Sequence, residues 1–129
     1  MDEQEKQHEE LLEKLSSEYH EIIDHSDQAV YIYLDDRHKL CNENFAKMLG
    51  YSSPEEWAKL EPFTDSLVAD ESKKTLVSTY QNAMQNLVGA EVEITWKKKD
   101  SGSVKTRVIL VPIAFGGELL ALHFISLAD

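Results

Sequence analysis

Nucleophilic catalysis needs a nucleophile, a base within hydrogen-bond reach and a group that orients the base. The 129-residue sequence holds one cysteine, five histidines and 24 acids. Their spacing assembles no such set. None of the patterns G-x-S-x-G, H-E-x-x-H, G-x-x-x-x-G-K-[ST] or G-x-G-x-x-G is present. Gly116-Gly117 reads as a hairpin turn, not a phosphate cradle. Asp35-Asp36 reads as a solvated turn rather than an acid/base dyad. Cys41 has no partner for a disulfide and offers no metal-ligand spacing, so no metal site is expected and the reducing cytoplasm is the natural compartment. No catalytic residue is expected, and the chain reads as a non-enzyme. His123 is the most informative single residue. It lies in an apolar strand and shares a face with Leu119, Ala121 and Ile125. It is either a buried histidine bonded to a neighbour or a polar anchor for a ligand. Its ordinary pKa would let it respond to pH near neutrality.

Charge narrows the partners. The net charge is −11, and residues 1–27, with ten acids and two lysines, carry −8 of it. The remainder is near balance. Neither part offers a basic face for phosphate, so nucleic acid and anionic membrane surfaces are not expected partners. No run of roughly 18 apolar residues exists, so no membrane span is expected. The length fits one domain.

Residues 2–24 are rich in Glu, Gln, Lys and Leu and lack Gly and Pro, which predicts a helical arm. Its first ten residues lack apolar anchors apart from Met1 and are expected to fray. Leu12, Leu15, Tyr19 and Ile22 form an a/d seam, widened by Leu11 and Ile23. Two readings compete for that seam. It folds back over its own sheet, or it pairs with a second copy to make a homodimer. Two heptads do not decide between them. The division expected is an arm over residues 1–24 and a core domain over 25–129, with His25-Ser26-Asp27 as the junction.

The core opens with a strand over Ala29–Leu34, turn residues Asp35-Asp36-Arg37 and a short strand over His38–Cys41. Asn42 is a helix N-cap, and Phe45, Met48 and Leu49 share a helical face. Gly50 is a helix stop, and Ser53-Pro54-Glu55-Glu56 is a capping box with proline at the first helical position. Trp57 reads as a packing anchor. Pro62 limits residues 58–69 to short turns of helix. Asp70 reads as the N-cap of a long helix over Glu71–Leu87, ended by Gly89. Ala90–Lys97 alternates as a strand, Asp100-Ser101-Gly102 is a turn with its glycine available for positive φ, and strands follow over Val104–Ile113 and Leu119–Leu127 around Gly116-Gly117. The last is apolar on both faces and should be central. Lys97, Lys98 and Lys99 read as a solvated strand end, with contact to the acidic arm of a neighbour as the alternative.

The stretch from Ala29 to Trp57 resembles the PAS family of sensory domains. That family's early pattern is strand, Asp-rich turn, strand, Asn with Phe three residues later, Leu-Gly-Tyr, and Ser-Pro-Glu-Glu. Asn42, Phe45, Leu49, Gly50, Tyr51, Ser53, Pro54, Glu55 and Glu56 stand at those positions. Arg37 stands where the family usually has a turn glycine. The resemblance extends over residues 19–129 and implies an α+β fold: a five-stranded antiparallel sheet, helices on one face, and an N-terminal amphipathic helix on or beyond the other. It implies a sensory domain of a signal-transduction protein that binds a small molecule or partner. Such a domain relays a conformational signal to an effector domain outside this chain. A fragment of a longer protein is expected, with a free-standing domain as the alternative. A ligand-free dimerisation or protein-interaction module is the competing function.

The resemblance also tests cofactors. Haem-binding members supply a histidine from the long helix, and Glu71–Leu87 has none. Photosensors of the LOV type need a cysteine in an Asn-Cys-Arg-Phe-like motif; Cys41-Asn42 reverses that order on another element. Both arguments go against haem and covalent flavin, while non-covalent flavin or another small molecule stays open. The cavity implied between sheet and helices would be lined by Phe45, Met48, Leu76, Tyr80 and Met84 from the helices. Trp96, Leu110 and Leu122 would add to it from the strands. Tyr80, Thr95 and His123 would supply its polar groups. Plain core packing is the competing role for each.

Overall fold

The computed structural model describes residues 2–24 and 26–128. Its elements are α1 (Glu3–Asp24), β1 (Ala29–Asp35), β2 (His38–Cys41), α2 (Glu43–Met48), α3 (Pro54–Ala58), α4 (Phe63–Leu67), α5 (Asp70–Asn86), β3 (Ala90–Lys97), β4 (Ser103–Phe115) and β5 (Glu118–Leu127). The strands form one antiparallel sheet in the order β2-β1-β5-β4-β3, so the apolar β5 is central as expected. Period-two alternation divides each strand between two faces. Tyr31 of β1 belongs to the cluster under α2–α5, and its neighbour Ile32 to the cluster under α1.

Local chemistry explains the helix boundaries. Asn42 accepts from the Phe45 amide at 3.1 Å, and Ser53 accepts from Glu56 N–H at 3.1 Å. The return bond of the capping box reaches one residue further than expected: Glu56 accepts from the amide of Ser52 at 2.8 Å. Gly50 takes φ +87° after α2, a left-handed conformation that glycine adopts at no steric cost. Buried Asn42 also joins elements: it accepts from Val30 N–H at 3.1 Å and donates to the Gln28 carbonyl at 2.7 Å. The β1–β2 turn closes without its glycine. The Asp35 carboxylate accepts from Arg37 N–H at 3.0 Å, and the strand register shifts between Tyr33 and Asp35.

Four expectations are corrected. Ala69, not Asp70, is the N-cap of α5; Asp70 lies inside the first turn and pairs with Lys73 at 2.9 Å. The left-handed stop of α5 is Leu87 (φ 55°) rather than Gly89. Gly89 instead permits close approach, since a Cβ there would stand 3.4 Å from the Leu110 carbonyl oxygen. In the β3–β4 turn Ser101, not Gly102, takes the positive φ, held by the Asp100 carboxylate on the Gly102 amide. Finally, the start of the arm is helical from Glu3, and His8 is buried. A polar side chain does the anchoring there, which an apolar count does not detect.

Helix α1 lies on its own sheet. Leu11, Leu15 and Ile23 are buried against Ile32 and Leu120, with Leu12 and Leu122 packed alongside. His25, at the expected arm–core junction, lies outside the described residues, as do Met1, Asp129 and the side chain of Ile22. Across the sheet, α5 is tied to β3 by Ser72, whose hydroxyl accepts from Thr95 N–H at 2.9 Å.

Candidate functional site

Tyr31 organises the helix-side core. Its ring stacks on Phe45 at 5.2 Å and on His123 at 3.8 Å, and Trp57, Phe63 and Trp96 surround it within 5.7 Å. Aromatic pairs of this kind add about 0.5–1.5 kcal/mol beyond their buried area. Trp96 is fixed further by donating to Thr106 at 2.8 Å, and Thr106 donates to the Ile94 carbonyl at 2.8 Å. The region therefore fills itself with side chains, and the open volume lies to one side of it.

That volume is a pocket of about 200 Å³ between β1, β5, α4 and α5. Tyr31, Tyr33 and His123 line it from the sheet. Phe63 and Thr64 come from α4, and Leu76, Val77, Tyr80 and Gln81 from α5. Tyr33 meets Phe63 and Tyr80 edge to face at 5.2 and 5.5 Å, and its hydroxyl donates to Asp36 at 2.8 Å. Every lining side chain is neutral near pH 7. Burial, reinforced by the other phenols, holds the Tyr31 hydroxyl well above the ordinary tyrosine range. Burial also raises Tyr33 and Tyr80. Burial pushes His123 down to about 3 against its backbone hydrogen bonds. Its Nδ1 lies 3.1 Å from the Ala121 carbonyl oxygen, which can only accept. The neutral ring therefore carries its proton on Nδ1, and Nε2 is an acceptor.

Of the ten expected cavity residues, Leu76, Tyr80 and His123 line this pocket. Phe45 and Trp96 are fully buried in the aromatic core, with Met48 packed against it. Met84 and Leu110 pack with Ala83 and Ala121 beside the pocket. Leu122 lies on the α1 side of the sheet, because neighbours along a strand face opposite ways and His123 holds the helix side. Thr95 alternates likewise with the buried Ile94 and Trp96. The other six liners, Tyr31, Tyr33, Phe63, Thr64, Val77 and Gln81, are not among the expected residues. The sequence signal was present in the β1 alternation, which places Tyr31 and Tyr33 on one face.

Leu15 is 2% exposed and Tyr19 40%, with the Tyr19 ring 5.7 Å from Phe115. Cys41 is buried, and burial pushes its thiol well up, away from the reactive thiolate. Two lysines of the run are engaged within the chain: Lys97 donates to the Asp65 carbonyl at 2.9 Å and Lys99 pairs with Glu56 at 2.7 Å. Among the described residues no helix is long and apolar enough to cross a membrane.

No protein-family model and no curated protein matches the sequence. Solved structures do match the fold. A PAS domain from a two-component sensor histidine kinase superposes with TM-score 0.68 at 13% identity, over 90% of this chain and 99% of that one. The PAS domain of a protein from Colwellia psychrerythraea gives TM-score 0.70 at 19% identity, over 88% and 97%. The PAS domain of an HTR-like protein from Haloarcula marismortui gives 0.64 at 20% identity, over 95% and 99%. With the strand order β2-β1-β5-β4-β3, the helices α2–α5 on one face and the pocket between them and the sheet, these likenesses show that the chain has the PAS fold.

Proposed function

We propose that the chain is a sensory domain that takes a small, neutral, single-ring ligand and passes its occupancy to α1. The observation that carries this reading is the pocket itself: about 200 Å³, apolar, and lined by three phenols and one imidazole with no charged group. A cavity of roughly 150 Å³ accommodates benzene, whereas drug-sized ligands need about 300 Å³ or more. The size suits one ring with a hydrogen-bonding group; the fused rings of flavin would require the pocket to widen.

The route to α1 is the sheet. In β1, Tyr31 and Tyr33 face the pocket while Ile32 and Leu34 pack under α1. In β5, His123 faces the pocket while Leu120 and Leu122 pack under α1. A ligand that shifts either strand shifts both faces. Signalling needs a ligand that favours one arrangement of α1 over another, typically by about 1–3 kcal/mol. In a longer signalling protein of the reducing cytoplasm, α1 would connect to an effector domain.

The test is a two-dimensional amide NMR titration of the 129-residue chain with phenol and benzamide, beside the Leu76→Trp variant, whose indole fills the pocket. Saturable shifts at Tyr33, Tyr80 and His123 that vanish in the variant support the pocket. Accompanying shifts along α1 support the relay. Absence of saturation at millimolar probe, or equal binding by the variant, overturns the ligand reading.

A second reading has one observation in its favour. Tyr19 remains 40% exposed on α1, so part of the arm's apolar seam stays available to a second copy. In that reading the domain is a dimerisation module joined through α1. Pairing through Leu15 would require that residue to leave its own sheet. Native mass spectrometry separates the two: a dimer that Tyr19→Glu dissociates supports it, and a monomer at micromolar concentration refutes it.

A further inference from the structure

The buried His8 is unusual for a residue so near the start of an amphipathic helix. Its Nδ1 lies 2.9 Å from Asp35 Oδ2, and the other oxygen of that carboxylate lies 2.7 Å from His38 Nδ1. The two imidazoles meet edge to face at 5.6 Å. On the far side of His8, Nε2 lies 3.3 Å from Glu118 Oε1. One helix, both sides of a hairpin turn and the start of the central strand thus converge on a single point. The imidazole side chains are 10% and 11% exposed, and the Asp35 carboxylate is 41% exposed.

We propose that His8, Asp35 and His38 form a binding site for a divalent transition metal of the zinc class, which clamps α1 onto the β1–β2 hairpin. One ligand atom from each residue lies within 4.8 Å of the others. Two imidazole nitrogens and a carboxylate oxygen are the donors that zinc, cobalt and nickel accept and that calcium and magnesium do not favour. At metal–ligand distances of about 2.0–2.1 Å, tetrahedral donors stand about 3.3 Å apart. The spacings of 2.7 and 2.9 Å, each to a different oxygen of Asp35, need to open by about half an ångström for an ion to enter, and any longer separation among the three ligand atoms, all within 4.8 Å, needs to close towards about 3.3 Å. Binding exchanges the hydrogens that the two Nδ1 atoms share with Asp35 for the metal.

The surroundings fit an ion. A metal-ligating histidine usually donates its other N–H to a carboxylate, which sets the tautomer; Glu118 occupies that place for His8. Access is through a surface recess of about 350 Å³ whose lining includes Asp2, Glu5 and Asp36. Arg37 is its only permanent cation among the described residues, and Glu5 holds it at 2.9 Å, with Glu61 at 3.9 Å. The fourth position opens towards this recess, where water or a further oxygen donor completes the shell. Metal occupancy would then set how firmly α1 is held, independently of any ligand in the aromatic pocket.

Isothermal titration of the 129-residue chain with zinc chloride in a non-chelating buffer tests the site. The expected result is saturable binding at one ion per chain, weakened by at least about tenfold in His8→Ala and in His38→Ala. His20→Ala, which alters an exposed histidine elsewhere on α1, leaves it unchanged. Cobalt substitution should give the visible absorption of a tetrahedral nitrogen–oxygen site, and zinc should slow amide exchange along α1. If His8→Ala loses its fold, His8→Gln carries the same test with a good helix former. No saturable binding by the wild type, or undiminished binding in either variant, overturns the proposal.

Discussion

Acidification should weaken this protein through one buried imidazole, and the size of the effect can be worked out. His123 titrates near 6.5 when unfolded and near 3 when folded, because burial disfavours the charged ring. Its folded pKa is depressed, so the unfolded chain binds the proton first as pH falls. The stability that neutral His123 contributes is complete above about 6.5 and is lost at about 1.4 kcal/mol per pH unit down towards about 3. Between about pH 7.5 and 5.5 the loss is about 1.4 kcal/mol. The lower limit stays above the sequence pI of about 4.8, where the net charge vanishes. The comparison is His123→Phe, which keeps a ring on Tyr31 and removes the titration. His8 shifts the opposite way, raised chiefly by its bond to Asp35, but it is present in both proteins and cancels in the difference. Urea unfolding, followed by the fluorescence of the buried Trp57 and Trp96, measures both at each pH. Wild type should lose about 1.4 kcal/mol more than His123→Phe across the interval. Parallel pH profiles would refute the argument.

Three further outcomes follow from the packing. Asn42→Ala should cost about 3 kcal/mol in urea unfolding, because it leaves the buried Val30 N–H and Phe45 N–H without partners and removes the bond to the Gln28 carbonyl; a cost below about 1 kcal/mol would show that water replaces the side chain. Gly116→Ala and Gly117→Ala both place a side chain at positive φ, costing about 1–2 kcal/mol each. Only the Gly116 Cβ would meet a neighbour, 2.3 Å from Leu11 Cδ1, so only Gly116→Ala should speed amide exchange in α1. Trp57→Phe should cost less than the roughly 3–5 kcal/mol of a large aromatic deletion, since Trp57 Nε1 is buried without a hydrogen-bond partner and its loss removes a desolvation penalty; a full-sized loss in thermal unfolding would contradict this.

The sequence by itself determined what depends on near neighbours. Asn42, Gly50 and Ser53-Pro54 mark helix ends because caps and stops are chemistry within a few residues. Period-two alternation located β3, β-branched and aromatic runs between turn residues located the others, and the two-sided apolar run made β5 central. The resemblance at Asn42–Glu56 carried the fold. Contests between neighbouring residues were less legible: Ala69 and Leu87 took the cap and stop assigned to Asp70 and Gly89, because docking against β3 and β4 set where α5 ends. Only the tertiary structure decided which apolar residues border space. Phe45, Trp96 and Tyr33 have similar credentials in sequence, yet two fill the aromatic core and one faces the pocket, since a void depends on how all the rings pack together. The seam of α1 was equally suited to its own sheet and to another copy until Leu11 and Leu15 were seen against Ile32 and Leu120. Asp35 and His38 share one hairpin turn, but His8 lies 27 residues before Asp35 and 110 before Glu118, so no local spacing could have joined the four. Their meeting depends on the hairpin turn, the central strand and the docking of α1 at once, because a site built from three elements exists only after those elements have packed.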